Sequence, residues 1–112
     1  MQFDTDLQSI HKDLFLQVRE LLLSNDNVVE TKKERITTYS YNKKGLYHLR
    51  TMSYGVDIGF LKGVQLTDHL GLLIGNRKTV RVLPLKSFNP VIIEHFINET
   101  FQLNMTHKVV QL

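Results

Sequence analysis

The chain has 112 residues, 42% of them hydrophobic and 22% charged, with only 6 Gly and 2 Pro; it can build one core, is too short for two, and is not composed like a disordered segment. It contains no Cys, which excludes disulfides, thiolate metal sites and thiol nucleophiles. The 14 Lys and Arg against 11 Asp and Glu give a formal charge of +3, scattered along the chain, whereas a dedicated nucleic-acid binder gathers its basic residues on one face.

Leu7, Ile10, Leu14, Val18, Leu21 and Leu22 recur at three- and four-residue steps and predict an amphipathic first helix. Thr5 with Gln8 fits a capping box at its start, and Ser24-Asn25-Asp26-Asn27 marks its end. From Arg35 to Tyr41 the β-branched and aromatic residues predict a strand. Asn42-Lys43-Lys44-Gly45 is read as the turn, with Gly45 taking positive φ, and Leu46 to Arg50 as the returning strand of an antiparallel hairpin.

Val56 to Leu61 predicts a third strand, with Val56, Ile58 and Phe60 on one face and Asp57 on the other. Gly63 to Lys78 is an irregular connection, with room for a short helical turn, whose leucines fold down onto the core. Thr79 to Leu83 alternates as a fourth strand, ended by Pro84. Asn89 as N-cap, Pro90 at the first helical position and Phe88 as a hydrophobic staple start a second helix. Ile93, Phe96 and Ile97 form its buried stripe, Glu94 and Glu99 face outward, and the helix frays over Thr100 to Asn104. Val109, Val110 and Leu112 are read as an extra strand or a docking extension. The expected fold is a single α+β domain over residues 1–112, two-layered, with an antiparallel sheet covered on one face by an N-terminal and a C-terminal helix.

The stretch Ile58-Gly59-Phe60-Leu61-Lys62-Gly63, followed by Leu66, Asp68, Gly71-Leu72-Leu73, Gly75, Lys78 and Val80-Arg81, resembles the YdhG-like family of bacterial proteins of unknown function. Lys62 stands where that family usually carries Arg, and the Lys-Trp and nearby Pro of its first strand region have no counterpart, since this chain has no Trp. The resemblance implies a frataxin-like fold and, for some members, an iron-chaperone role.

The residues expected to meet a ligand are Lys62, Asp68, Arg77, Lys78 and Arg81, basic groups converging beside a glycine-bearing turn that could accept a small anion. The competing structural reading pairs Arg81 with Asp57 or Asp68 and leaves the lysines solvated. Lys78 comes three residues after Gly75 and a strand follows, so a P-loop is excluded. Asp4, Asp6, Asp13 and Glu20 offer a thin acidic strip for a hard cation, interrupted by Lys12 and Arg19. His11, His48, His69, His95 and His107 show no ligand spacing, and the one-turn His95–Glu99 pair is read as a surface hydrogen bond. Tyr39, Tyr41 and Tyr47 near Lys43, Lys44 and Arg50 would suit single-stranded nucleic acid only if they faced solvent, and core packing is the favoured reading.

No catalytic residue or cofactor can be named, because no nucleophile has an adjacent base and no carboxylates pair at catalytic spacing. Non-enzymatic binding of a small anionic ligand, or a chaperone-like role, is therefore expected. The alternatives are a frataxin-like iron chaperone and a protein interaction module that forms a homodimer. With no basic leader before an apolar run and no window of about 18 apolar residues, a cytoplasmic protein with no membrane partner is expected.

Overall fold

The structure is a computed structural model that describes residues 1–110, with side chains described to Asn104. The N-terminal segment folds as two helices, α1 (Gln2–Leu7) and α2 (Lys12–Leu22), where the sequence predicted one starting at Thr5. The chain turns between them: the Gln8 and Ser9 N–H groups donate to the carbonyls of Thr5 and Asp6, and the Ser9 hydroxyl accepts from the His11 N–H at 3.0 Å. Such local bonds compete with the helical ladder. The break resets the helical phase, so α2 buries Phe15, Val18 and Leu22 while Ile10, expected on the apolar stripe, is 92% exposed. Thr5 lies inside α1 and caps nothing.

Five strands follow: β1 (Val29–Lys32), β2 (Thr37–Tyr41), β3 (Lys44–Met52), β4 (Gly55–Phe60) and β5 (Arg81–Leu85), with a 3-10 turn at Gly63–Gln65 before β5. They form one antiparallel sheet in the order β1-β2-β3-β4-β5. β1 was not foreseen, because Val29-Glu30-Thr31-Lys32 carries a single apolar residue. The β2–β3 turn is two residues long, with positive φ at Asn42 (51°) and Lys43 (65°), the geometry whose twist suits a hairpin. Gly45 is therefore not the turn residue. It lies in β3, where an added Cβ would collide with Leu61.

A bulge between Tyr39 and Ser40 on β2 and the facing residues of β3 lets both Leu46 and Tyr47 be buried. The helix-side face carries Thr37, Tyr39, Tyr47, Leu49, Val56, Ile58, Phe60, Leu83 and Leu85, all buried. The hairpin tyrosines thus belong to the core: Tyr39 and Tyr47 are 0% exposed, and Tyr41 packs edge-on against Phe101 at 5.4 Å.

Pro84 does not end β5 but sits within it, opposite Asp57. The direction of its missing donor explains this. Val82 exchanges both backbone bonds with Ile74 (2.8 and 2.9 Å) on the side away from β4, and Pro84, two residues on, points the same way.

The last helix, α3 (Pro90–Val110), starts as predicted, with Asn89 Oδ1 accepting from the Ile92 N–H at 3.3 Å. Ile93, Phe96 and Ile97 are buried, and Phe96 lies 5.7 Å from Phe60. The expected fraying at Thr100 to Asn104 does not occur. Those polar side chains fold back on the helix's own carbonyls, Thr100 Oγ1 donating to Phe96 (2.8 Å) and Asn104 Nδ2 to Thr100 (3.1 Å). Val109 and Val110 are consequently helical rather than a strand, and Leu112 lies outside the described residues. The helices and the sheet form an α+β domain, and among the described residues no helix is long and apolar enough to cross a membrane.

Candidate binding cleft

Asp68 organises the segment between the 3-10 turn and β5. Its Oδ1 accepts from the Leu72 N–H (2.8 Å) and its Oδ2 from the Leu73 N–H (2.9 Å), while its carbonyl accepts from the Gly71 N–H at 3.1 Å. A carboxylate with short flanking residues can hold such a loop without help from secondary structure. Glu99 then ties the loop to α3, its Oε2 accepting from the Thr67 N–H at 2.7 Å. Glu99 is therefore half-buried and turned towards the connector rather than outward.

A cleft lies between this connector and α3. One part is a hollow of about 300 Å³ walled by Leu70, Leu72, Val91, Ile92 and Phe96. It adjoins a polar hollow of about 410 Å³ bordered by Asn98, Glu99 and Gln102, and both share Thr67, His69 and His95. Leu70 (75%) and Val91 (76%) stand exposed on the rim. The His95 ring lies edge-on to Phe96 at 5.3 Å, and its Nε2 is 3.9 Å from Glu99 Oε1, too far for a hydrogen bond. That oxygen has no donor among the described residues. The cleft therefore offers a non-polar wall, two imidazoles and a carboxylate at one end.

The sequence-predicted set is dispersed across this region. Asp68 is committed to the loop backbone, and Arg81 Nη1 donates to the Val80 carbonyl at 2.8 Å and to that of Arg77. Those two residues do share a small hollow of about 160 Å³ beside Gly63 and Leu73. Lys62 Nζ reaches Asn104 Oδ1 on α3 at 3.3 Å. Arg77 and Lys78 are exposed, and Arg77 lies near His48 on the other face of the sheet. The pairing of Arg81 with Asp57 or Asp68 is absent among the described residues. His69 and His95, 26 positions apart by their numbers, were not recognised as neighbours, since the Thr67–Glu99 bond that brings their segments together leaves no local signal in the sequence.

Three other polar groupings are engaged within the fold, although Asp6 Oδ2 is buried with no donor among the described residues. Arg19 donates to both oxygens of Glu30 (2.7 and 2.8 Å), and Tyr39 donates to Oε2 at 2.8 Å, tying α2 to β1. Burial by itself would raise the Glu30 carboxyl, but the hydrogen bonds from Arg19 and Tyr39 prevail and hold it below the usual carboxylate range. Asp6, expected in an acidic strip, is fully buried and accepts from the Thr51 N–H (3.0 Å), the Thr51 hydroxyl (2.7 Å) and Gln2 Nε2 (2.9 Å). On the open sheet face the His48 imidazole lies over Gly59, where a Cβ would fall inside the ring. Burial, then Arg50 and Arg77, push His48 below its ordinary value, while Asp57 works the other way. Tyr54 donates to Asp57, and burial together with that bond pushes its hydroxyl up to about 12.

Compared with known protein families, curated proteins and solved structures, the chain matches none. The cleft must therefore be interpreted from its own chemistry. Among the described residues no three His, Asp or Glu side chains are placed to hold a metal ion. The apolar hollow of about 300 Å³ falls at the lower end of small-molecule sites.

Proposed function

We propose that this protein is a non-enzymatic binding domain that holds a small, mainly apolar ligand between the 63–80 connector and α3, with the ligand's polar end at His69 and His95. The observation that carries this reading is the junction of the two hollows, apolar on the Phe96 side and polar on the Glu99 side. It keeps the ligand on the segment the sequence marked, from Lys62 to Arg81, and moves the contacts from the basic residues to the leucines and histidines. A head group that can both donate and accept suits this end, where Glu99 Oε1 lacks a donor among the described residues and each imidazole offers a ring N–H.

The YdhG-like resemblance and its frataxin-like fold belong to the same proposal. They are supported by the order of N-terminal helices, antiparallel sheet and C-terminal helix and by Asp68, which accepts from the Leu72 and Leu73 N–H groups of the motif.

The test is titration with octanoate and with octanol while following backbone amide resonances. Saturable shifts centred on Leu72, Val91 and Phe96 are expected. Leu70→Asp and Val91→Asp alter exposed rim positions, so they should leave the fold intact and weaken binding about tenfold or more, the scale of one buried aliphatic side chain. Absence of saturable shifts, or affinity in both variants unchanged from that of the unmodified chain, rejects the cleft.

A further inference from the structure

The two outer edges of the sheet are treated differently. On β5, Ile74 takes up both outward bonds of Val82, and Pro84 offers no donor. Among the described residues β1 has no such cover. The Lys33 N–H donates to the Ile36 carbonyl at 3.0 Å, which makes 33 and 36 a hydrogen-bonded pair. Following the observed register, Thr31 with Thr38 and Val29 with Ser40 are hydrogen-bonded pairs too. The N–H and C=O groups of Glu30 and Lys32 therefore turn away from β2, and no described residue bonds them.

We propose that β1 is the docking edge for a second copy of this chain, paired antiparallel about a twofold axis at Thr31. Charge complementarity selects this register. The outward backbone groups can meet only if Glu30 and Lys32 of one copy oppose Glu30 or Lys32 of the other. Centring the axis on Lys32 brings like charges face to face, which is destabilising across a sheet; centring it on Glu30 opposes two carboxylates that Arg19 and Tyr39 already hold and brings neither a cation from the second copy. With Thr31 on the axis, Glu30 opposes Lys32 of the second copy twice, and each pair exchanges two backbone bonds. Opposed residues share a face, so both copies place their helices on the same side and the two sheets become one. A lysine on an open edge is ordinarily a guard against unwanted pairing; here its spacing from Glu30 turns the guard into a selector for one partner. Arg19 holds the Glu30 side chain on the helix side and leaves its backbone groups free.

The chain has no Cys, which makes a cross-linking test clean. At a non-hydrogen-bonded pair on the axis the two Thr31 Cα atoms would lie about 4.5 Å apart, inside the disulfide range of about 4.4–6.8 Å. Thr31→Cys is therefore expected to give a covalent dimer on mild oxidation. Val29→Cys, equally exposed, would face Lys33 of the second copy and lie roughly 13 Å or more from its own equivalent, so it should remain a monomer. Sedimentation of the unmodified chain at tens of micromolar should give twice the chain mass, and Lys32→Glu should weaken dimerisation at least tenfold. Sedimentation of the unmodified chain as a monomer, together with a Thr31→Cys variant that gives no covalent dimer, overturns the proposal. Val29→Cys dimers forming as readily as those of Thr31→Cys overturn it equally.

Discussion

His48 is a basic residue placed where a positive charge is unwelcome. It is half-buried over Gly59, and both Arg50 and Arg77 oppose its protonation. Its folded pKa is therefore lower than that of the unfolded chain, near 6.5. A depressed value means the stabilising neutral form is complete above the unfolded value and is lost as pH falls through the folded one. Urea denaturation should show stability falling as pH drops below about 6.5, and the fall should shrink in His48→Gln; parallel curves for the two proteins would contradict this. The same ring makes Gly59 hard to replace. Gly59→Ala should destabilise by roughly 1–3 kcal/mol, and most of that cost should disappear in the His48→Ala background, because the clash is with the imidazole and not with backbone. Equal costs in both backgrounds would place the strain elsewhere.

At the scale of single elements, the β2–β3 hairpin carries an identifiable flaw. Lys43 adopts φ of 65° in a two-residue turn that favours Asn-Gly, and Asn42 already stands in the first position. Lys43→Gly should stabilise by about 0.5–1 kcal/mol, read as a higher urea midpoint at unchanged slope. The elements also show what a sequence can reveal. The start of α3 was legible because Asn89 and Pro90 act on adjacent backbone, and β2 to β4 were legible because alternation is local. The break after Leu7 was not, because Gln8 to His11 preserve the helical period and only the turn hydrogen bonds replace it. β1 was hidden by its polar composition. Pro84 misled because whether a missing donor matters depends on which side faces the neighbouring strand. The cleft was half legible: the connector and its Asp68-Gly71-Leu72-Leu73 run stood out, but the Thr67–Glu99 bond spans 32 residues and leaves no local signature.

Across the whole molecule, the proposed ligand cleft and the proposed β1 docking edge use separate residues. The cleft is bounded by the connector and α3, and β1 is the strand at the far end of the sheet order from β5. A ligand and a second copy can therefore be accommodated without contending for the same residues. Pro84 and the Ile74 bridge have a bearing on how far assembly can run. A sheet with two adhesive borders could add copies head to tail without limit, as fibres do. With one border closed by a ring that cannot donate and by a strap of its own chain, joining satisfies the remaining border and leaves no further place to grow, so the association ends at two.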